Sequence, residues 1–172
     1  MSGFRTEPWI TLQARRFLKD WMHHHPGVNI LEFGAGGSTI WFSQRDCTVT
    51  SVEHDQKWVK TTLDHINKNK YKKPTIITHQ RPYNTVCDNM TDNTFDLILV
   101  DGRDRVKCVE SAMRLLKPGG LFMVDNSERE EYIKMYWLLR EWHGPTVTRQ
   151  IEPDEYNSFN KHWETAWWHK PL

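Results

Sequence analysis

Residues 28–38 read VNILEFGAGGS, a short apolar run followed directly by a glycine-rich turn. The run from Val28 to Phe33 predicts a buried strand, and the glycines allow a tight turn whose backbone can approach a ligand closely. Ser38 then opens a segment in which residues 40–42 are Ile, Trp and Phe, which predicts a helix. Strand, tight turn and helix in this order indicate the first half of a βαβ unit.

Outward from this turn, short apolar runs continue to alternate with longer amphipathic stretches. Further strands are predicted at residues 48–53, 74–79, 95–100 and 121–124, and two closing strands at 146–151 and 162–170. Helices are predicted at residues 8–22 and 129–142 and after the second and fourth strands, the last of these ending at Lys117-Pro118-Gly119-Gly120. The polar residues 80–94 show no period and predict a long loop, a kind of segment that is often functional.

This alternation predicts an α/β fold, a Rossmann-like, seven-stranded, mostly parallel sheet flanked by helices. A length of 172 residues and a mass of 20.5 kDa suit one compact domain and exclude a second of ordinary size. We expect a single domain over residues 1–172. It would comprise an N-terminal helical segment at 1–26, a core at 27–127, and a C-terminal helix with the closing strands at 128–172.

The composition excludes several classes of partner. Because 23 Lys and Arg residues face 22 Asp and Glu residues, no large positive excess is present for nucleic-acid phosphates, and no nucleic-acid partner is expected. The mean hydropathy of −0.72 and the lack of a long apolar run predict no membrane partner. The start MSGFRTEPW lacks the apolar stretch of a secretory signal, and the three cysteines form no C-x-x-C pair. Reduced thiols and a cytoplasmic location are therefore expected.

Tryptophan is unusually abundant for so short a chain. The nine Trp residues exceed what a small core needs, which predicts that the surplus lies at a pocket wall or a dimer interface. In residues 162–169 (HWETAWWH), Trp163, Thr165 and Trp167 alternate along a predicted strand. Core or dimer packing is favoured there over stacking on nucleic-acid bases. A homodimer is therefore an expected state of assembly.

Two carboxylates stand at the ends of the first two predicted strands, where open parallel sheets bind their ligands. Glu32 comes just before the glycine turn, and Glu53 follows 21 residues later. A carboxylate at Glu53 can accept hydrogen bonds from both hydroxyls of a ribose, which predicts a nucleoside ligand. A nicotinamide dinucleotide site would need a third glycine at position 39, where the chain has Thr39.

Four ordered motifs resemble those of the class I S-adenosylmethionine-dependent methyltransferases. Glu32-Phe33-Gly34-Ala35-Gly36-Gly37-Ser38 is similar to their motif I, and Val52-Glu53-His54-Asp55 to their acidic ribose-binding motif. Residues 95–101 (FDLILVD) and 115–126 (LLKPGGLFMVDN) resemble the segments at their fourth and fifth strands. Together the motifs span roughly residues 27–127 in the order and spacing of that family.

The resemblance implies S-adenosylmethionine as the cofactor and a role for each matching residue. Glu32 would hold the amino group of the methionine half, which the turn residues Phe33, Gly34, Gly36, Gly37 and Ser38 would line. Glu53 would bind the ribose, and His54 would lie against the adenine. Asp101 would lie close to the methionine moiety or the acceptor. The adenine-binding residue after the third strand stays open among Asn84, Asp88 and Asn89.

Within that class, the chain resembles the catechol and caffeoyl-CoA type O-methyltransferases. In those enzymes an Asp after the fourth strand and an Asp-Asn pair after the fifth hold a divalent cation, and this chain has Asp101, Asp125 and Asn126 there. Such oxygen ligands suit Mg²⁺, which would orient two acceptor oxygens and lower a hydroxyl pKa. The lysine that these enzymes place after the first Asp is missing, and Arg103 or Arg105 would be a poor base. A cap on the next helix is the other interpretation of Asp125-Asn126.

The resemblance thus implies a methyltransferase that acts on a small-molecule acceptor, at oxygen, with Asp101 and Arg103 as catalytic residues and Mg²⁺ as an optional cofactor. The N/D-P-P-Y/F motif of enzymes that methylate nucleic-acid bases is absent after the fourth strand. Arg103, Arg105 and Arg129 would suit an anionic acceptor unless they are solvated or paired with Asp104 and Glu128. Two alternatives stay open, a metal-independent N-methyltransferase and a catalytically silent cofactor-binding subunit that needs a partner protein.

Overall fold

The structure is a computed structural model that describes residues 5–153 and 160–172. Seven strands form one sheet in the order β3-β2-β1-β4-β5-β7-β6. Their bounds are β1 Val28–Phe33, β2 Cys47–Glu53, β3 Thr75–Thr78, β4 Phe95–Val100, β5 Leu116–Asp125, β6 His143–Pro153 and β7 Asn160–His169. The first five strands run parallel, and β7 is antiparallel to both its neighbours, so the predicted mostly parallel sheet is confirmed.

Helices cover both faces of this sheet. Their bounds are α1 Leu12–His24, α2 Gly37–Phe42, α3 Gln56–Lys68, α4 Arg105–Ala112 and α5 Ile133–Leu138, with 3-10 turns at Tyr83–Asn89, Met113–Leu115 and Glu130–Tyr132. On one face α1 and α2 pack against apolar side chains of the central strands. On the other face α4, α5 and the Tyr83–Asn89 turn do so. The central strands β1 and β4 therefore lie between two apolar layers.

Two predicted helices differ from the structure at their ends. The helix predicted at residues 8–22 begins only at Leu12, because Thr11 acts as its N-cap and accepts a hydrogen bond from the backbone N–H of Ala14 at 3.4 Å. The helix predicted at 129–142 is shorter, since only Ile133–Leu138 is α-helical. Ile133, the first residue of this helix, is exposed.

Two segments predicted as irregular are ordered. Residues 80–94 were expected to form a loop, but Tyr83–Asn89 is a 3-10 helix that buries Tyr83, Val86 and Cys87. The predicted helix stop at residues 117–120 lies within β5, which begins at Leu116. The backbone N–H of Gly119 donates to the carbonyl of Lys170 at 2.9 Å, so pairing with the C-terminal segment extends the strand. A short stretch of sequence does not reveal the 3-10 helix or the longer β5, because both elements depend on residues that are distant in the chain.

Most of the tryptophans belong to the core. Trp21, Trp41, Trp163, Trp167 and Trp168 are buried, and Trp142 packs edge-on against Phe122 with 5.8 Å between ring centres. Core packing of residues 162–169 is confirmed by the buried Trp163, Trp167 and Trp168. A pocket wall or a dimer interface stays a prediction for the exposed tryptophans. The exposed tryptophans are Trp9, Trp58 and Trp137.

Candidate active site

The turns that follow β1 and β4 touch each other through two glycines. Gly34 has a φ of +103°, and a methyl group added to it would lie 2.8 Å from the Cα of Gly102. A methyl group on Gly102 would in turn lie 2.8 Å from the carbonyl oxygen of Phe33. Only glycine fits at both positions, because one requires positive φ and both require a backbone contact closer than a side chain allows. This contact joins the motif I turn to the Asp101-Gly102 turn.

Glu32 is fully buried at the end of β1, and one of its oxygens is engaged. Oε1 accepts hydrogen bonds from the hydroxyls of Thr39 and Ser51, the latter at 2.5 Å. Oε2 is buried and has no hydrogen-bond partner among the described residues. Burial raises the pKa of Glu32 to about 7. A cation placed beside Oε2 would relieve this burial cost.

Thr39 connects Glu32 to the glycine turn. Its hydroxyl accepts a hydrogen bond from the backbone N–H of Gly36 at 2.8 Å and donates to Glu32. Position 39 is the place where a dinucleotide fingerprint would have its third glycine. Thr39 is therefore incompatible with that fingerprint, and its hydroxyl orders the turn instead.

Glu53 is buried at the end of β2, and several groups converge on its Oε1 atom. The phenol of Tyr83 donates to this oxygen at 2.9 Å, and the backbone N–H groups of His54 and Asp55 donate at 2.8 and 3.0 Å. The His54 Nδ1 atom lies 2.8 Å from the same oxygen. All hydrogen bonds of the Glu53 carboxylate to described residues end on Oε1, so Oε2 is left for a further donor.

Tyr83 is a site residue that the sequence analysis missed, because the segment 80–94 was interpreted as a loop. Its backbone N–H donates to Asp104 at 3.3 Å, and Asp104 also receives a two-pronged contact from Arg81 at 2.7 and 3.1 Å. These hydrogen bonds from Arg81 and Tyr83 lower the pKa of the Asp104 carboxyl. Asp104 therefore holds the start of the 3-10 turn in the position from which the Tyr83 phenol contacts Glu53. No signal in the chain other than an aromatic residue in a polar stretch would have indicated this.

Trp58 and the N-terminal segment border the glycine turn. The indole N–H of Trp58, in the first turn of α3, donates to the carbonyl of Ala35 at 2.5 Å. A methyl group on Gly36 would lie 3.0 Å from that indole nitrogen, and one on Gly37 would lie 2.5 Å from the carbonyl oxygen of Glu7. The turn is thus enclosed by a tryptophan on one side and by the backbone before α1 on the other. The predicted cofactor residues Gly36, Gly37 and Ser38 lie in this enclosed turn.

The ends of β4 and β5 are neighbours, as the resemblance implied, and a buried arginine lies between their carboxylates. Arg105 is 7% exposed. Its Nη2 atom lies 3.1 Å from Oδ1 of Asp101, and its Nη1 atom lies 3.9 Å from Oδ2 of Asp125. Burial raises the pKa of Asp125 to about 6 and, together with the nearby Asp125 carboxylate, raises that of Asp101 well above its usual value. Both shifts are opposed by the charge of Arg105.

The three predicted metal ligands are already engaged with protein groups. Oδ1 of Asp125 accepts a hydrogen bond from the Thr165 hydroxyl at 2.7 Å. Oδ1 of Asn126 accepts one from Arg129 at 3.0 Å. Within the described part of the chain, no cluster of three or more His, Cys, Asp or Glu side chains is arranged for a metal ion. This donor set does not fit Mg²⁺, because the space between the carboxylates is occupied by a guanidinium.

Among the described residues, no hydrogen bond or ion pair joins the side chains of Asp101 and Arg103, the two predicted catalytic residues. Arg103 is exposed, and no hydrogen bond or ion pair of its side chain is found within residues 5–153 and 160–172. The guanidinium that contacts Asp101 is that of Arg105, two residues later. A helix that begins at Arg105 turns this side chain back toward the strand ends, which residue spacing alone does not reveal.

A polar cleft of about 390 Å³ lies beyond the end of β5, and its lining begins with Ser127, two residues after Asp125. Basic side chains of Arg129, Arg149 and His162 line it together with the acidic side chains of Glu128, Glu130 and Glu164, and Ser127, Ile133 and Tyr136 complete its wall. Arg149 pairs with Glu164 at 2.5 Å. The Ser127 hydroxyl is buried and lacks a hydrogen-bond partner in the described structure. Two arginines in the lining thus face three glutamates, and the buried Ser127 hydroxyl is an unused polar group among the described residues.

Comparison with known proteins defines the family. A family model described as a methyltransferase domain matches residues 24–165. No curated protein matches the chain. Among solved structures, an S-adenosylmethionine-dependent O-methyltransferase from Thermotoga maritima superposes with a TM-score of 0.68 at 14% identity, over 98% of this chain and 68% of that one. The N-methyltransferase NodS from Bradyrhizobium japonicum, solved with S-adenosylhomocysteine, gives 0.61 at 14% identity, over 93% and 86%.

A third solved structure, the tRNA (m1A58) methyltransferase TrmI from Aquifex aeolicus, gives a TM-score of 0.65 at 14% identity, over 99% of this chain and 73% of that one. At these identities the solved structures show the fold alone, which is the class I Rossmann-like fold. The family match covers most of the chain, so this protein belongs to the methyltransferase domain family and is an S-adenosylmethionine-dependent methyltransferase. Among the described residues, no helix combines the length and the apolar composition that a membrane crossing requires.

Proposed function

We propose that this methyltransferase transfers the methyl group of S-adenosylmethionine to a small polar molecule, at an oxygen atom. The observation that supports an S-adenosylmethionine site is the pair of buried carboxylates, Glu32 and Glu53, at the ends of the adjacent strands β1 and β2. Each has one oxygen held by the protein and one without a described partner. Two such carboxylates beside a glycine turn match a ligand with an ammonium group and a ribose.

Each predicted cofactor residue has a role in this proposal. Oε2 of Glu32 would accept the ammonium group of the methionine half, which supports the ionised carboxylate against its burial cost. Oε2 of Glu53 would accept the ribose hydroxyls, and His54 would lie against the adenine. The turn residues Phe33, Gly34, Gly36, Gly37 and Ser38 would line the methionine half. When bound, the cofactor supplies a sulfonium-linked methyl group with a good leaving group.

The proposed acceptor site is the cleft beyond β5. Its volume of about 390 Å³ suits a small molecule. Because two arginines there face three glutamates, a polar acceptor with both donors and acceptors fits better than a strongly anionic one. Asp101 at the end of β4 would accept the proton of the acceptor hydroxyl. Arg103, which is exposed and follows Asp101 by two positions, would contact the acceptor from the solvent side.

Calorimetric titration with S-adenosylhomocysteine tests the cofactor site. Replacing Glu53→Gln removes a charged acceptor of hydrogen bonds, so the Kd should rise by about tenfold or more. Glu141→Gln, at an exposed glutamate that pairs with Arg140, is the matched control and should leave the Kd unchanged. Failure of the wild-type protein to bind S-adenosylhomocysteine, or equal binding by Glu53→Gln, would overturn the proposal.

The acceptor class has its own test. The protein would be incubated with S-adenosylmethionine labelled in the methyl group and with a cell extract separated into small molecules, RNA and protein. Label should enter the small-molecule fraction in a form that resists acid, as a methyl ether does. Label in RNA or protein alone would contradict the proposed acceptor. Activity that appears only after a second protein is added would indicate the alternative, a cofactor-binding subunit.

Two expectations about context stay predictions. A cytoplasmic location is supported by Cys47, Cys87 and Cys108, which are all buried and unpaired. A homodimer is supported only by exposed apolar side chains such as Ile133 and Trp137 on α5, which are 67% and 68% exposed. Sedimentation at micromolar concentration would test the homodimer.

A further inference from the structure

The carboxylates at the ends of β4 and β5 would repel each other if both were ionised and nothing lay between them. The side chain that lies between them is that of Arg105, which enters from the first residue of α4. Its Nη2 atom contacts Oδ1 of Asp101 at 3.1 Å and the backbone carbonyl of Asp101 at 3.0 Å. Its Nη1 atom donates to the backbone carbonyl of Asp125. One buried guanidinium thus binds both strand ends.

Further contacts hold the guanidinium in place. Its Nε atom donates to the carbonyl of Gly102 at 3.1 Å. The ring of Tyr132 covers it, with 5.6 Å between the guanidinium carbon and the ring centre. A planar fork with several donors suits such a set of carbonyl and carboxylate oxygens, whereas a lysine would supply only a point charge. Arg105 is therefore a built part of the site and not a mobile surface residue.

The second carboxylate is held from its other side by the hydroxyl of Thr165. This hydroxyl donates to Asp125 and accepts a hydrogen bond from the backbone N–H of Thr11 at 3.0 Å. Thr11 is the N-cap of α1, so the Thr165 hydroxyl links the N-terminal helix to the strand ends. Oδ1 of Asp125 is bound to Thr165 and Oδ2 faces Arg105 at 3.9 Å, so both oxygens of this carboxylate face protein groups.

We infer that Arg105 is an internal cation that occupies the place of the divalent metal in the catechol type O-methyltransferases, so this enzyme works without a metal there. The inference rests on the proposed function, because it concerns the same acceptor side of the site. Arg105 is a positioning residue. It keeps Asp101 and Asp125 apart and oriented, and its charge favours the ionised form of Asp101, which is the form that can accept a proton.

The inference is tested with Mn²⁺ as a spectroscopic substitute for Mg²⁺, by electron paramagnetic resonance titration and by thermal unfolding in EDTA or in millimolar MgCl₂. The wild-type chain should bind no Mn²⁺, and its unfolding temperature should be the same in both buffers. Arg105→Gln should lower that temperature by about 10 °C, because a buried ion pair is broken. It should also gain Mn²⁺ binding, which the double change Arg105→Gln with Asp125→Asn should remove.

Arg45→Gln is the matched control, since Arg45 is a half-buried arginine that stacks over Trp41. It should lose stability and gain no Mn²⁺ binding. Stoichiometric Mn²⁺ on the wild-type chain would overturn the inference, as would an Arg105→Gln variant that folds and gains none. If Arg105→Gln does not fold, the wild-type titration decides alone. If the wild type binds no S-adenosylhomocysteine in either buffer, the proposed function is wrong, and the Mn²⁺ titration can still be interpreted by itself.

Discussion

The phenol of Tyr83 donates a hydrogen bond of 2.9 Å to Oε1 of Glu53, across thirty residues of sequence. Both side chains are buried. The contact joins the 3-10 turn after β3 to the end of β2, and it engages Oε1 while Oε2 has no hydrogen bond to the described residues. A glutamate that is held on one oxygen and open on the other suits a rigid bidentate ligand such as a ribose.

The first prediction concerns this contact. Tyr83→Phe keeps the ring and removes the donor, so the affinity for S-adenosylhomocysteine should fall by about tenfold, and the free energy of unfolding by about 2 kcal/mol. Calorimetric titration and urea unfolding measure the two effects. Tyr71→Phe, beyond the far end of α3, is the control. An unchanged Kd for Tyr83→Phe would show that the phenol does not orient Glu53.

The second prediction separates backbone strain from steric contact at the glycines. Gly34→Ala combines a positive φ of +103° with a methyl group 2.8 Å from Gly102, and should cost about 3 kcal/mol or more. Gly27 has a φ of +74° and open space around the added methyl group, so Gly27→Ala should cost only about 1 kcal/mol. Equal losses in urea unfolding would mean that the contact between the two turns contributes nothing.

The third prediction is a pH dependence that arises from Glu32. Burial raises its pKa from 4.5 in the unfolded chain to about 7, so the folded chain keeps a proton that the unfolded chain releases. The free energy of unfolding should therefore fall as the pH rises between about 4.5 and 7, by about 3 kcal/mol in total. Glu32→Gln should lack this decline. Urea unfolding at several pH values, with the variant as reference, isolates the contribution of Glu32.

The same carboxyl predicts proton release on cofactor binding. At pH 6 Glu32 is mostly protonated in the free protein, whereas the ammonium group of S-adenosylhomocysteine favours its ionised form. Titrations in two buffers of different ionisation enthalpy should show close to one proton released. Glu32→Gln should release none. Binding enthalpies that do not depend on the buffer in the wild type would place the ammonium group elsewhere.

The fourth prediction concerns the Thr165 hydroxyl, which links Asp125 to the N-cap of α1. Thr165→Val keeps the volume but leaves the Thr11 N–H without its acceptor and Asp125 without its donor, which should cost about 3 kcal/mol. Thr165→Ser keeps the hydroxyl and should cost about 1 kcal/mol for the lost methyl group. Thermal unfolding compares the two. A serine variant as unstable as the valine variant would show that the hydroxyl bonds are not what stabilises this junction.

Most of the sheet was predictable from local pattern. The apolar run in β1 and the similar run in β4 allow little besides buried parallel strands, and Glu32 and Glu53 follow from their places at strand ends. The tight turn after β1 was equally predictable from its glycines, and Gly34 does adopt a positive φ. Asp55 is the N-cap of α3 and accepts a hydrogen bond from the backbone N–H of Lys57 at 2.9 Å, which is also a contact within one turn. Each of these features depends on residues within one strand or one turn.

Tertiary contacts decided the rest. Tyr83 reaches Glu53 only because Asp104, 21 residues further along, holds its backbone. Asp101 is contacted by Arg105 and not by Arg103, because the first turn of α4 directs the Arg105 side chain between the ends of β4 and β5. These two strands are neighbours only because the chain crosses over to pair them in parallel. Periodicity reports which face of an element is apolar and which residues end it. It carries no information about how a polar side chain is paired with one from another strand, and that pairing decides whether Asp101 and Asp125 face a metal ion or an arginine.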